Sequence, residues 1–144
     1  MWRTLKAWLS SPTQSVKVGT IKDLAGQIQR LIDAPNGSSL IVEMIDREDA
    51  FLQFTVGPDR LQIDQPLITK QQVERENALR KSFSDVGLKP YETQGSDGSR
   101  FLNCDAPRDS ASAAILVQVI LESVFRVDSS TELRFVGHGL PPGD

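Results

Sequence analysis

The chain carries one histidine and one cysteine, so few side chains could serve as base, nucleophile or soft metal ligand. His138 stands near the C-terminus between Gly137 and Gly139. A Ser-His-Asp triad would have to recruit it, and two flanking glycines near a chain end do not give a base the fixed orientation it needs. Cys104 has no second cysteine to pair with. That suits a reducing compartment, and a lone cysteine beside a strand reads as a small core hydrophobe. One His and one Cys, distant in sequence, do not make up the usual donor set of a zinc site.

Carboxylates are more numerous. Asp46, Glu48 and Asp49 fall in one turn and are of the right type for a hard cation. The closing Glu of an EF-hand is absent, and a charged hairpin turn is the plainer reading. Neither Gly95-Ser96-Asp97-Gly98 nor Gly137-His138-Gly139 is followed by the Lys and helix of a phosphate loop. The Gly-x-Gly-x-x-Gly fingerprint is also missing. No catalytic, cofactor-binding or metal-binding residue is assigned, and no cofactor is expected.

The formal net charge is -3, and the pI is about 5.2. The densest cations, Arg75, Arg80 and Lys81, are interleaved with Glu74 and Glu76. They read as a solvated helix face with i,i+4 pairs such as Glu76–Arg80. A polyanion partner needs a basic patch that displaces counterions, so nucleic acid is not an expected partner.

The elements that would position these side chains follow from patterning. With 144 residues, 39% hydrophobic and 24% charged, the chain has the size and composition of one globular domain. Residues 1–15 read as an N-terminal amphipathic arm and linker, 16–140 as a single α+β domain, and 141–144 as a flexible tail, with fraying from Leu140 onward. In the arm, Trp2, Leu5, Trp8 and Leu9 fall at helical spacing, with Arg3 and Lys6 between them. It has three readings: an interfacial membrane helix, an arm docked on a partner subunit, or an extension packed on its own domain. The last is favoured. No apolar run approaches the ~20 residues needed to span a bilayer.

Within the domain, Thr20 starts a first helix with the stripe Ile21, Leu24, Ile28, Leu31 and Ile32. Three strands follow, Ser39 to Arg47, Phe51 to Val56 and Arg60 to Asp64, with Leu40, Val42, Met44, Leu52, Phe54, Val56, Leu61 and Ile63 facing inward. Short turns make them an antiparallel meander with one buried and one wet face. A second helix runs from the Thr69/Gln72 capping box to Gly87, with Val73, Leu79, Phe83 and Val86 as its stripe. A hairpin over Leu88–Gln94 and Ser99–Asn103 comes next, with Pro90 marking an edge strand. The third helix, from Asp109 or Ser110 to Phe125, is apolar around most of its surface. It is expected to be central and buried on several sides, or half of a dimer interface. A last strand through Leu133 and Phe135 completes the reading. The expected fold class is α+β, an antiparallel β-sheet (meander plus hairpin) packed against helices, in the order α-β-β-β-α-β-β-α.

Certain segments carry a family likeness: Phe51-Leu52-Gln53-Phe54, Leu61-Gln62-Ile63-Asp64 leading to Pro66-Leu67, and the helix end Leu79-Arg80-Lys81-Ser82-Phe83-Ser84-Asp85-Val86-Gly87-Leu88. Arg100-Phe101-Leu102-Asn103 and Leu121-Glu122-Ser123-Val124-Phe125-Arg126-Val127 extend it. From Phe51 to Leu140 the chain resembles the type III secretion chaperone-like superfamily, most of all its YbjN and TY-chaperone branches of bacterial peptide-binding proteins. Leu88 departs from the pattern, since an aromatic often follows the helix-ending glycine in those proteins. The arm has no counterpart among them.

The resemblance implies a non-enzymatic, cytoplasmic, chaperone-like or adaptor domain that binds a protein or an extended peptide client, with a homodimer as one assembly. Capture of an extended segment suits an antiparallel sheet with an open edge. The candidate partner-binding residues are the outward residues of the meander, Phe51, Gln53, Thr55 and Gln62, and the helix face of Arg75, Arg80 and Lys81. The alternative is an immunity protein that neutralises a toxin by direct binding, through a negative patch of Asp46, Glu48, Asp49 and Asp64.

Overall fold

The computed structural model describes residues 14–141; the predicted arm, the start of its linker and the last residues of the predicted tail lie outside them. The described chain is α+β, with a seven-stranded sheet in the order β1-β7-β2-β3-β4-β6-β5 and every pairing antiparallel. The strands are β1 (Gln14–Gly19), β2 (Ser39–Met44), β3 (Phe51–Val56), β4 (Arg60–Pro66), β5 (Tyr91–Gln94), β6 (Arg100–Pro107) and β7 (Leu133–His138). The helices are α1 (Leu24–Ile32, after a 3-10 turn at Ile21–Asp23), α2 (Lys70–Glu74), α3 (Glu76–Asp85) and α4 (Ser110–Phe125).

The meander β2-β3-β4 forms as its alternation dictates. Leu40, Val42, Met44, Leu52, Phe54, Val56, Leu61 and Ile63 all point to one face and are buried there. Leu102, Cys104 and Ala106 of β6 and Leu133 and Phe135 of β7 extend this layer. The helices cover it, presenting Leu24, Ile28 and Leu31 from α1, Leu79 and Phe83 from α3, and Val117, Ile120, Leu121 and Phe125 from α4. α4 packs against both α1 and α3. Ser110 Oγ donates to Gln29 Oε1 at 2.7 Å on one side, and the Ser82 and Ser123 hydroxyls meet at 2.9 Å on the other.

The capping chemistry read from sequence is present. Asp23 Oδ2 accepts from the Thr20 N–H at 3.0 Å. Gln72 Oε1 accepts from the N–H groups of Ile68 and Thr69, each at 3.1 Å, while Gln72 N–H donates to Thr69 Oγ1 at 3.3 Å. Gly87 follows α3 with φ of 83°, a left-handed conformation that glycine adopts without a Cβ clash.

The fold corrects the sequence reading in four places. First, Gln14 and Ser15 are not linker but the start of β1, an unpredicted strand that pairs with β7 along its length. The sheet therefore gains a strand at the N-terminal side, and the observed order is β-α-β-β-β-α-α-β-β-α-β. Second, the second helix is interrupted at Arg75, and Val73 of its predicted stripe is exposed. Third, α4 is not buried on several sides within the described chain: Ile115 and Val119 face outward, which leaves the dimer-interface alternative open. Fourth, Leu140 does not fray: it packs against the core. A Cβ at Gly137 would strike the Leu140 side chain and Ser15 Oγ, so a glycine there lets the chain fold back. Arg30 Nη2, donating to the Pro141 carbonyl at 2.8 Å, holds the segment down. His138 consequently ends a strand, in register with Gln14 and Ser39, instead of lying in a loose tail.

Candidate functional site

The helices occupy one face of the sheet, so the opposite face and the sheet edges remain for function. The register fixes which residues share that second face. One row runs Val16, Val136, Ile41, Gln53, Asp64, Asn103, Tyr91 from β1 to β5. A neighbouring row carries Val18, Arg134, Glu43 and Phe51, and on its far side Phe101 opposite Thr93. On the other side of the first row stand Ser39, Thr55, Gln62 and Asp105. The face is thus apolar toward β1 and β7 and polar toward β4 and β5.

Phe51, Gln53, Thr55 and Gln62 do share this face, as alternation predicts, but they are not outward in the sense of being wet. Phe51 and Gln53 are buried, at 5% and 3% exposure, and Thr55 and Gln62 are half-buried. Phe51 forms an apolar cluster with Ile41 and Val136. Gln62 Nε2 donates to Tyr91 Oη at 3.0 Å, Tyr91 Oη donates to Asp105 Oδ1 at 2.9 Å, and Arg60 Nη1 donates to Asp105 Oδ2 at 3.1 Å. Burial pushes the Tyr91 hydroxyl above its ordinary range.

Asp64 is the unusual group of this face. It sits directly opposite Gln53, and among the described residues neither Asp64 Oδ1 nor Gln53 Oε1 has a hydrogen-bond partner. Burial raises the carboxyl from 3.8 to about 6, because a charged form without donors is poorly solvated there. A protonated Asp64 gains an O–H to donate, and the adjacent Gln53 Oε1 is an acceptor for it. Asp64 is therefore a buried side chain of the sheet and does not extend a surface patch with Asp46, Glu48 and Asp49.

The cationic candidates lie on the helix side and are not brought together with the sheet residues. Arg75, at the interruption between α2 and α3, donates to the Asp49 carbonyl at 2.9 Å and stacks 5.5 Å above the Phe125 ring, fastening the β2–β3 loop. Arg80 and Arg100 form a four-membered ionic cluster with Glu76 and Glu92. Arg80 reaches Glu76 at 2.9 Å and Glu92 at 3.0 Å, and Arg100 reaches the same two at 3.0 and 2.9 Å. The Arg80 hydrogen bond leads the causes that lower the Glu76 carboxyl, and the Arg100 hydrogen bond leads those that lower Glu92. The cluster ties α3 to the short edge strand β5, so Arg80 has a structural engagement. Lys81 pairs with Asp85 at 2.7 Å on the exposed surface.

The two edges differ. β5 is four residues long and carries Glu92 of that cluster. β1 has six residues and, among the described residues, one neighbour, β7. Val16 and Val18 on β1 are 53% and 50% exposed and stand in register with Val136 and Arg134.

Sequence reasoning missed Val16, Val18, Ile41, Phe101, Asn103 and Val136 as residues of this face. The run Leu40-Ile41-Val42 held a signal, since continuous apolar character in a strand marks burial on both sides. Cys104 belongs to the helix-covered core, where burial pushes its thiol up to about 12. Among the described residues no cluster of His, Cys, Asp or Glu is placed to hold a metal ion. No helix among them is long and apolar enough to cross a membrane.

Comparisons with known proteins gave no match among family models, curated proteins or solved structures.

Proposed function

We propose that this protein is a non-enzymatic, chaperone-like or adaptor domain of the type III secretion chaperone-like kind, which takes an extended segment of a client protein as an added strand along β1. The observation that carries the reading is the β1 edge. A six-residue antiparallel strand presents its outer side with Val16 and Val18 uncovered. An incoming strand would find backbone N–H and C=O groups for main-chain hydrogen bonds, and the alternating valines would select for apolar side chains at every second position. Naturally protected edges use charges, proline or bulges; β1 has a single Lys17 between its valines. A second copy of the chain could dock in the same way, which gives the homodimer a defined geometry. The resemblance of Phe51-Leu52-Gln53-Phe54, Leu61-Gln62-Ile63-Asp64, the Leu79–Leu88 helix end and the Leu121–Val127 segment to that superfamily supports the same reading.

The test is hydrogen exchange on the full chain before and after addition of partners captured from cell lysate, with solution mass by light scattering. Strand addition slows exchange in Gln14–Gly19. The double variant Val16→Lys, Val18→Lys abolishes both capture and protection while the far-UV spectrum is retained. Protection confined to the exposed surface of α4 or to the β2–β3 loop would overturn the edge-strand mechanism.

A further inference from the structure

The ladder hydrogen bonds fix which way each main-chain group of β1 points. Val56 N–H donates to the Ser38 carbonyl at 3.1 Å, and Met44 N–H donates to the Ala50 carbonyl at 2.9 Å. These bonds lie at the two ends of the β2–β3 register. In β2, therefore, Leu40, Val42 and Met44 turn their N–H and C=O groups to β3, and Ser39, Ile41 and Glu43 turn theirs to β7. The alternation carries through β7, whose Leu133, Phe135 and Gly137 face Gly19, Lys17 and Ser15 of β1. The main-chain groups of Gln14, Val16 and Val18 consequently point away from β7. Among the described residues no strand lies beyond them. The outward row stops at Thr20, whose N–H is taken by Asp23 Oδ2 at 3.0 Å.

We infer that the occupant of this edge in the client-free protein is a second copy of the chain, its β1 antiparallel to the first with Val16 opposite Val16, so that the two sheets join into one and a client strand must displace the copy. The inference rests on the reading of β1 as the docking edge and adds the regulation of that edge.

Hydrogen bonding, charge and side-chain continuity select this occupant and this register. At its hydrogen-bonded positions an antiparallel pair sets outward-facing residues opposite one another, and β1 meets that requirement against itself. With Val16 on the two-fold axis, Gln14 of each copy lies opposite Val18 of the other, so all three outward residues are used. The next register sets Val16 opposite Val18 and leaves Gln14 opposite Thr20, whose N–H is already engaged. That register also stacks Lys17 directly on Lys17, which is destabilising, whereas the Val16-centred one sets Lys17 opposite Ser15 and moves the two lysines to the ~7–8 Å diagonal. Val16 stands in one row with Val136 and Ile41. Self-pairing continues this apolar row into the other copy and shields Val16 and Val18, which are 53% and 50% exposed.

The assembly is reversible. A pairing that spans Gln14–Val18 is small beside the ~1,000 Å² of a durable interface, so the copies separate on dilution. Self-pairing and strand capture use the same N–H and C=O groups of Gln14, Val16 and Val18, and a high concentration of the protein holds the edge occupied.

Light scattering on the full chain over rising concentration should show the mean mass climb from one chain toward two. Val16→Pro removes an outward N–H and spares the β1–β7 bonds, so it should hold the mass at one chain with the far-UV spectrum retained. Ile115→Lys, on the exposed face of α4, should still dimerise. Cysteine pairs read the register and decide the matter if Val16→Pro does not fold. Cys104 is fully buried, so a mixture of Ser15→Cys and Lys17→Cys chains should form disulfide-linked dimers on mild oxidation, several-fold more than either chain alone. Crosslinking by Lys17→Cys alone would overturn the register. A dimer lost in Ile115→Lys and kept in Val16→Pro would move the interface to α4 and end the inference. So would a mass of one chain at the highest soluble concentration; if captured partners still protect Gln14–Gly19, strand capture then stands without self-pairing. A dimer with the expected crosslinks that captures nothing supports self-pairing and removes the client instead.

Discussion

The two faces of the sheet are built from the same strands and differ in their side chains and in which described elements pack on them. The helix face is apolar across β7, β2, β3, β4 and β6, and three helices from within the same domain seal it. The second face mixes an apolar cluster of Ile41, Phe51 and Val136 with a polar row of Gln53, Asp64 and Asn103, and among the described residues Asp64 Oδ1 has no hydrogen-bond donor. The first face carries the packing that specifies the domain, while the second mixes apolar and polar side chains.

Phe54 and Phe51, three residues apart on β3, make the sharpest test. Phe54 is 1% exposed among helix-face side chains, and Phe54→Ala should cost roughly 3–5 kcal/mol in urea unfolding. Phe51→Ala should cost less, below about 3 kcal/mol, because Phe51 belongs to a small cluster with Ile41 and Val136 and not to the main core. Equal losses would mean that the two faces are packed alike.

Asp64 gives the next largest effect, and its sign is opposite. The folded chain holds this proton up to about pH 6, against 3.8 ordinarily. Below pH 3.8 both states are protonated and nothing is lost. Between there and pH 6 the folded state binds more protons, so stability falls as pH rises, and above pH 7 the full penalty applies. Asp64→Asn removes it. The variant should be more stable than wild type by up to roughly 3 kcal/mol at pH 7.5 and indistinguishable from it near pH 3. A gain independent of pH would show that Asp64 is not titrating on the closed face.

At the rim of the second face the expected effect is small. Arg134 Nη1 pairs with Glu43 Oε1 at 2.6 Å, but the two side chains are 42% and 36% exposed. Arg134→Gln should change stability by less than about 1 kcal/mol, with the change shrinking in high salt. A larger loss would extend the closed region to this pair.

The sequence resolved the covered face better than the second one. Strict alternation in Phe51–Val56 and Arg60–Asp64, the Thr69/Gln72 capping box and the Gly87 stop are local signals, each set by side chains a few residues apart, and each has the structure it implies. Grouping Phe51, Gln53, Thr55 and Gln62 on one face followed from the two-residue period alone. Their burial did not, because it depends on what lies above them. The cations Arg75 and Arg80 looked like a free helix face because two of their partners, the Asp49 carbonyl and Glu92, come from other elements.

What the sequence by itself determined is the set of helices and strands with strong internal patterning, with their caps and turns. The tertiary structure decided the rest. Gln14-Ser15-Val16-Lys17-Val18-Gly19 has two apolar residues and no hydrophobic face of its own, and it becomes a strand by pairing with β7 from the far end of the chain. That pairing places β1 at the sheet edge among the described residues, inserts β7 between β1 and β2, and aligns Val16, Val136 and Ile41 in one row. Strand partnership is a long-range hydrogen-bonding choice with little local cost or signal, so the residues that form the candidate surface are neighbours only after the sheet has closed.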